Sequence, residues 1–209
     1  MLIGLTGKYC AGKNHIAAIL EKKGFPVLDI DKLGHQVLEI EKKAICGQFG
    51  ADLLKTDGSL DRRLLGQRVY GQQDKLPLLE AIVHPKVNQL TDEWIQNREE
   101  LGDRAIILNA ALLHKSSVFD KLGMIILVSA PYLTRLLRAK KRDKLSFREI
   151  IKRFASQKDF NDRYLSINSR PDSAEIYRVE NSGFLKLCLK GCRYQKLELK
   201  IDKIMERIG

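Results

Sequence analysis

The sequence predicts an α/β fold, a doubly wound parallel five-stranded sheet with a helical insertion, and three observations carry that expectation. The runs Leu2–Leu5, Ala105–Asn109 and Met124–Val128 are apolar at almost every position, as strands covered on both faces are. Helical patterns separate them, giving the alternation of a sheet with helices on both sides. The chain also opens on strand, glycine-rich loop and helix in immediate succession.

The first strand feeds Gly7-Lys8-Tyr9-Cys10-Ala11-Gly12-Lys13-Asn14, a G-x-x-x-x-G-K pattern followed by the helical run His15–Leu20. In such a loop the glycines let backbone N–H groups turn inward onto phosphate oxygens, the helix N-terminus adds partial positive charge, and Lys13 reaches β- and γ-phosphates. Asn14 stands where a Ser or Thr hydroxyl normally holds Mg²⁺. Its amide oxygen is a candidate metal ligand in the hydroxyl's place.

A turn at Gly24-Phe25-Pro26 leads to a second strand, Val27–Asp31, ending in Asp29 and Asp31. Read as extended chain, the two carboxylates point the same way at the C-terminal end of a parallel strand, where ligands bind in open α/β sheets. There they serve to accept a proton from an attacking hydroxyl or to hold a metal. Asp31 is also placed to cap a helix over Lys32–Leu38. From Phe49 to Arg98 the texture becomes helical, with Asp57–Asp61 as a turn and helix start and with Arg62, Arg63 and His84 among apolar residues. Two buried strands follow, the first continuing into Ala110–Leu113. Tyr177–Val179, before Asn181-Ser182-Gly183, supplies the fifth strand, and Leu197–Ile208 a closing amphipathic helix.

Between Arg135 and Arg153 nine basic residues stand against two acidic ones. The stretch is too polar for a core, and in a phosphoryl-transfer enzyme a mobile lid at this place brings arginines onto the transferring phosphate.

Composition narrows the classes. The formal net charge is +11, charged residues make up 30% and apolar residues 44%, which describes a soluble domain suited to an anionic partner. No apolar run approaches a membrane span and no signal-peptide core interrupts the start, so the expected address is the cytoplasm. Cys10, Cys46, Cys188 and Cys192 form neither a disulfide framework nor a zinc pattern. Cys188 and Cys192, one helical turn apart, read as packing.

Taken in order, the motifs resemble dephospho-coenzyme A kinase along nearly the whole chain. They are Ile-Gly-Leu-Thr-Gly…Ala-Gly-Lys, Val-Leu-Asp29-Ile-Asp31, Asp57-Gly-Ser-Leu-Asp61-Arg62-Arg63, Leu79-Glu-Ala-Ile-Val-His84-Pro85, Arg138…Arg142-Asp143-Lys-Leu-Ser146, and Arg153-Phe-Ala-Ser-Gln157. The resemblance implies a P-loop NTPase of nucleoside-monophosphate-kinase type. Its parts would be a nucleotide-binding core at 1–60 and 99–209, a helical domain at 61–98 for the coenzyme A precursor, and a lid at 135–157. It implies ATP and dephospho-coenzyme A as substrates, Mg²⁺ or alternatively Mn²⁺ as the ion, and no nucleic-acid or membrane partner. By position, Gly7 to Asn14 would hold the triphosphate. Lys13, Asp31, Asp29, Arg142 and Arg138 would be catalytic, Arg62, His84 and His35 would seat the acceptor, and Asn14 with Asp31 would hold the metal.

Three places depart from the family pattern. Asn14 replaces Ser/Thr, His35 an arginine, and Asn109-Ala-Ala-Leu-Leu-His114-Lys115 a segment usually reading Asp-hydrophobic-Pro-Leu-Leu-Phe-Glu. They bear on metal affinity and turnover more than on fold. The rival readings are a non-catalytic relative that binds nucleotide or coenzyme A, a GTPase, which would need an N-K-x-D that does not occur, and a nucleic-acid-binding protein. For the last the basic stretch offers a single aromatic, Phe147.

Overall fold

A computed structural model describes residues 1–69, 72, 74–143, 145–165, 174–182 and 190–208. Gly183, Lys144, Cys188 and the side chain of Cys192 lie outside the described residues. The chain forms two compact units, Met1–Leu28 with Arg98–Gly209, and Asp29–Asn97.

The first unit carries the expected five-stranded parallel sheet. Its strands are β1 (Leu2–Gly7), β2 (Val27–Asp29), β3 (Ile106–Asn109), β4 (Met124–Ser129) and β5 (Glu175–Glu180), in the order β2-β3-β1-β4-β5. β1 pairs in parallel with β3 on one side and β4 on the other, with Leu5 opposite both Asn109 and Ile126. The C-terminal end of β1 is therefore where strand order reverses, the place where open α/β sheets bind ligands. β-Branched residues fill the buried strands, and Ile3, Leu5, Ile107, Ile126 and Val128 pack with Ile16 and Leu20 of α1 (Lys13–Lys22). β3 stops at Asn109 and does not continue into Ala110–Leu113. The chain turns, and buried Leu113 folds over Gly4, where any Cβ would run into its side chain.

In the second unit α2 (Ile30–Ile40), α3 (Lys42–Phe49), α4 (Arg62–Val69) and most of α5 (Lys75–Glu100) surround Ile45, Phe49, Leu53, Leu60, Leu65 and Val69. Asp61 accepts the backbone N–H groups of Arg63 and Leu64, both at 3.0 Å, and so starts α4. This unit takes in α2 and α3 as well as residues 61–97.

Back in the first unit, the basic stretch becomes α6 (Tyr132–Asp143) and α7 (Phe147–Ala155), the latter opened by a Ser146–Glu149 capping box. It is not uniformly polar surface: Ala139 and Ile150 are fully buried and Arg135 is only 8% exposed. α8 (Phe160–Leu165) and α9 (Lys190–Met205) complete the unit, and α9 begins earlier than the periodicity at Leu197 predicts. No helix among the described residues is long and apolar enough to cross a membrane.

Candidate active site

The loop after β1 is held by its carbonyls. The Lys8 carbonyl accepts from Ala11 N–H at 2.9 Å, and the Gly12 carbonyl from the N–H groups of His15 and Ile16. Arg135 Nε donates to the Tyr9 carbonyl at 2.9 Å. Arg138 Nη1 donates to the Cys10 and Ala11 carbonyls at 3.4 and 3.0 Å, and Asn181 Nδ2 to Ala11 at 3.2 Å. Every carbonyl from Lys8 to Gly12 is thus engaged. Anchored carbonyls on one side turn a loop's remaining N–H groups toward the other, the arrangement that cradles an anion; here Ala11 N–H is taken by the Lys8 carbonyl and Tyr9 N–H by Gln157. Two residues make the path sterically: Cys10 (φ 60°) and Gly12 (φ 96°) take left-handed conformations. Gly7 acts differently, through close approach, since a Cβ there would lie 2.6 Å from the Val128 carbonyl.

Gly12 caps α1 without a side-chain bond, which leaves the helix N-terminus at the loop. Lys13, the first helical residue, sends its ammonium to Asn14 Oδ1 and Asn109 Oδ1, each at 3.0 Å. Asn109 Nδ2 donates to Asn14 Oδ1 at 3.2 Å. The resemblance implies a divalent ion, and the donor set at position 14 does not fit one. A carboxamide oxygen has two lone pairs, and here Lys13 and Asn109 occupy both. Among the described residues no group of three or more His, Cys, Asp or Glu could hold a metal.

α6 and α7 bring a second cluster onto the loop. Tyr9 N–H donates to Gln157 Oε1 at 2.7 Å, and the Tyr9 hydroxyl to Asp143. Arg142 is bidentate on Asp143, 2.7 Å from Nε to Oδ1 and 3.0 Å from Nη2 to Oδ2, with its guanidinium 5.2 Å from the Tyr9 ring. The Arg142 hydrogen bond, helped by Tyr9, holds the Asp143 carboxyl below the usual carboxylate range although burial opposes it. Burial, then the Asp143 bond, pushes the Tyr9 phenol up. Burial likewise raises the Cys10 thiol against the pull of Arg142, so Cys10 acts as packing under Ala139 and Ile150. Arg135 stacks on Phe154, 4.3 Å from the ring centroid.

In the helical unit the two aspartates divide. β2 ends at Asp29 and α2 begins at Ile30, so Asp29 and Asp31 are not alternate residues of one strand. It is Asp29 that caps α2, accepting Lys32 N–H at 3.0 Å, whereas Asp31 sits exposed in the first turn with His35 one turn further on. The correction has a local cause: Asp29 is the residue with extended dihedrals, which an N-cap requires. Arg62 opens α4 and His84 lies in α5, both exposed.

Sequence reasoning places Lys13 and the loop correctly on strand, turn and helix start, but it singles out neither Asn109 as a partner of Lys13 nor Arg135 and Asn181 as holders of the loop. The available signal for Asn109 is its place at the C-terminal end of β3, which flanks β1; Asn181 follows β5 and Arg135 lies in α6, where no such signal marks them.

The model of the dephospho-CoA kinase family matches residues 1–169. The dephospho-CoA kinase of Shouchella clausii is 39% identical over 186 residues, covering 88% of this chain and 90% of that protein. That of Treponema pallidum is 31% identical over 215 residues, covering 100% and 95%. Among solved structures, TT1252 from Thermus thermophilus aligns with a TM-score of 0.77 at 27% identity, over 100% of this chain and 98% of its own. The dephospho-CoA kinase from Campylobacter jejuni gives 0.64 at 23% identity over 100% and 97%, a likeness of fold. With a family match running from β1 past α6 and α7, this chain belongs to the dephospho-CoA kinase family.

Proposed function

We propose that this chain transfers the γ-phosphate of ATP to the ribose 3′-hydroxyl of dephospho-coenzyme A, the last step of coenzyme A synthesis, in the cytoplasm. The observation that supports it is the loop from Gly7 to Asn14, its carbonyls engaged from Lys8 to Gly12 and its lysine at the start of α1, at the point where strand order reverses. The loop N–H groups and the α1 terminus hold the triphosphate, and Lys13 balances charge on the β- and γ-oxygens. The acceptor oxygen attacks the γ-phosphorus, the bond to the β-phosphate oxygen breaks, and ADP leaves. The hydroxyl proton passes to Asp31. Arg142, one residue from its Asp143 partner, supplies the lid charge to the transferring phosphoryl. Arg138 acts through the loop it holds. The helical segment 61–98 receives the acceptor, with Arg62, His84 and His35 seating it, and 135–157 is the lid.

ADP release from Mg-ATP, measured with and without dephospho-coenzyme A, tests this. Release should depend on the acceptor, and Lys13→Ala should lower it by about 10²–10³-fold, the loss typical of one preorganised charge-stabilising donor. Acceptor-independent release, or an unchanged Lys13→Ala rate, would overturn the reading.

A further inference from the structure

The geometry points to Asn109 as the positioning residue of the phosphate-binding lysine, coupled to Asn14 in one hydrogen-bonded unit that serves Lys13 and not a metal ion. It rests on the phosphoryl-transfer reading of Lys13 given above.

The three side chains close a ring. Lys13 Nζ donates to Asn14 Oδ1 and Asn109 Oδ1 at 3.0 Å each, and Asn109 Nδ2 closes the circuit onto Asn14 Oδ1 at 3.2 Å. Donor chemistry alone orients both amides. An ammonium only donates, so the atoms facing it are oxygens, and the Asn109 NH₂ is then left facing the Asn14 oxygen, which accepts it. Turning either amide over sets donor against donor, so the ring has a single arrangement.

The ring is fixed on one side only. Asn109 is 1% exposed at the end of β3, its Cα in register with Leu5, and the next N–H, of Ala110, donates to the Leu5 carbonyl at 3.0 Å. Asn14 is exposed on α1. The lysine stem has four rotatable bonds, and holding it in one conformation otherwise costs rotamer entropy at the moment of binding. The sheet, through Asn109, sets where the ammonium stands before nucleotide arrives. Asn14 completes the cradle with an oxygen whose two lone pairs are both in use. A cation bound to that oxygen would displace the lysine, the asparagine or both.

Substitution chemistry separates this arrangement from a metal site. Asn14→Ala removes one lysine acceptor at an exposed position, where folding is not at stake. Asn109→Asp keeps an acceptor toward Lys13 but sets a carboxylate oxygen against Asn14 Oδ1, so Asn14 either holds acceptor on acceptor or turns its amide over and gives up Lys13. Adding Asn14→Ser relieves that conflict, because a hydroxyl donates to the carboxylate while accepting from the ammonium.

The test is ATP affinity by calorimetry in EDTA, with ADP release against Mg²⁺ concentration run on the same proteins. Asn14→Ala should weaken metal-free ATP binding by about tenfold, the size of one lost rotamer constraint, and leave the half-saturating Mg²⁺ concentration unchanged. Asn109→Asp should cost a similar factor, and Asn14→Ser in the same chain should recover it to within about threefold, the signature of coupled neighbours. A raised Mg²⁺ requirement for Asn14→Ala with intact metal-free binding would make Asn14 a metal ligand and overturn the inference. So would an Asn109→Asp loss that Asn14→Ser does not relieve. Lys13→Ala separates the two levels: if it keeps wild-type ADP release the phosphoryl-transfer reading fails, whereas the asparagine variants test only how the lysine is placed.

Discussion

Arg138 holds the Ala11 carbonyl of the loop after β1, 3.0 Å from Nη1, and with its other terminal nitrogen holds Asn181, at 3.1 Å from the carbonyl and 3.2 Å from Oδ1. Asn181 is itself buried and bonded to the same Ala11 carbonyl, so one guanidinium and one amide clamp the loop to the end of β5. A planar fork can bridge these acceptors, whereas an ammonium presents one point of charge. Arg138→Lys should therefore loosen the loop even though charge is kept. Hydrogen bonds from charged donors are worth roughly 1.5–3 kcal/mol each, so ATP affinity should fall at least tenfold with a lower melting temperature. Wild-type ATP affinity by calorimetry in Arg138→Lys would show that the loop does not depend on this clamp.

The clamp also marks the limit of what the chain reveals when read as a string. Gly12 and Lys13 are legible because local geometry dictates them, a left-handed turn and a helix start, whereas Gly7 is legible from the loop pattern although its close approach to Val128 is tertiary. The buried strands are legible because two covered faces exclude polar residues, and so the sheet follows. Arg135 and Arg138 are not legible in this sense, since sequence spacing puts them on a basic helix and only the tertiary fold lays that helix against the loop's carbonyls. Asp29 and Asp31 mislead for a different reason. Extended chain and helix meet between them, and alternation holds only while the strand lasts.

That division of the two aspartates has distinct consequences. Asp29 caps α2 through Lys32 N–H, and replacing an aspartate cap by alanine typically costs about 0.5–2 kcal/mol. Asp29→Ala should therefore lower stability to denaturant, and Asp29→Ser, which also caps, should recover most of it. Asp31→Asn keeps the side chain's size, gives up only the small first-turn charge contribution, and removes the proposed proton acceptor. It should leave the denaturation midpoint nearly unchanged and lower turnover by about 10²–10⁴-fold, the range for general-base loss. Reversed results, with Asp29 governing turnover and Asp31 stability, would exchange the roles.

Stability toward acid depends on His114. Its Nε2 lies 3.3 Å from Arg163 Nη1, and a guanidinium only donates, so Nε2 must carry a lone pair. The proton of the neutral ring is then on Nδ1, directed at the Tyr164 hydroxyl 3.2 Å away. Protonating the second nitrogen would set donor against donor and add a cation beside Arg163 and Lys115. Burial first, then those two charges, hold the imidazole below its ordinary value of 6.5. His15 is lowered in the same direction by burial, Arg138 and Lys22, with Glu198 opposing. Between the lowered folded values and 6.5 the unfolded chain binds more protons, so stability there rises with pH. The contribution is complete above 6.5, declines as pH falls toward the folded values, and is gone beneath them. The Asp143 carboxyl, lowered from 3.8, acts only at more acidic pH and leaves this window clear. Melting temperature should thus drop from about pH 8 to about pH 5.5, and His114→Gln, which cannot titrate, should flatten part of that drop while His15 maintains the rest. A melting temperature that rises on acidification through this window, or a His114→Gln profile parallel to the wild type, would show that His114 is not held neutral by its neighbours.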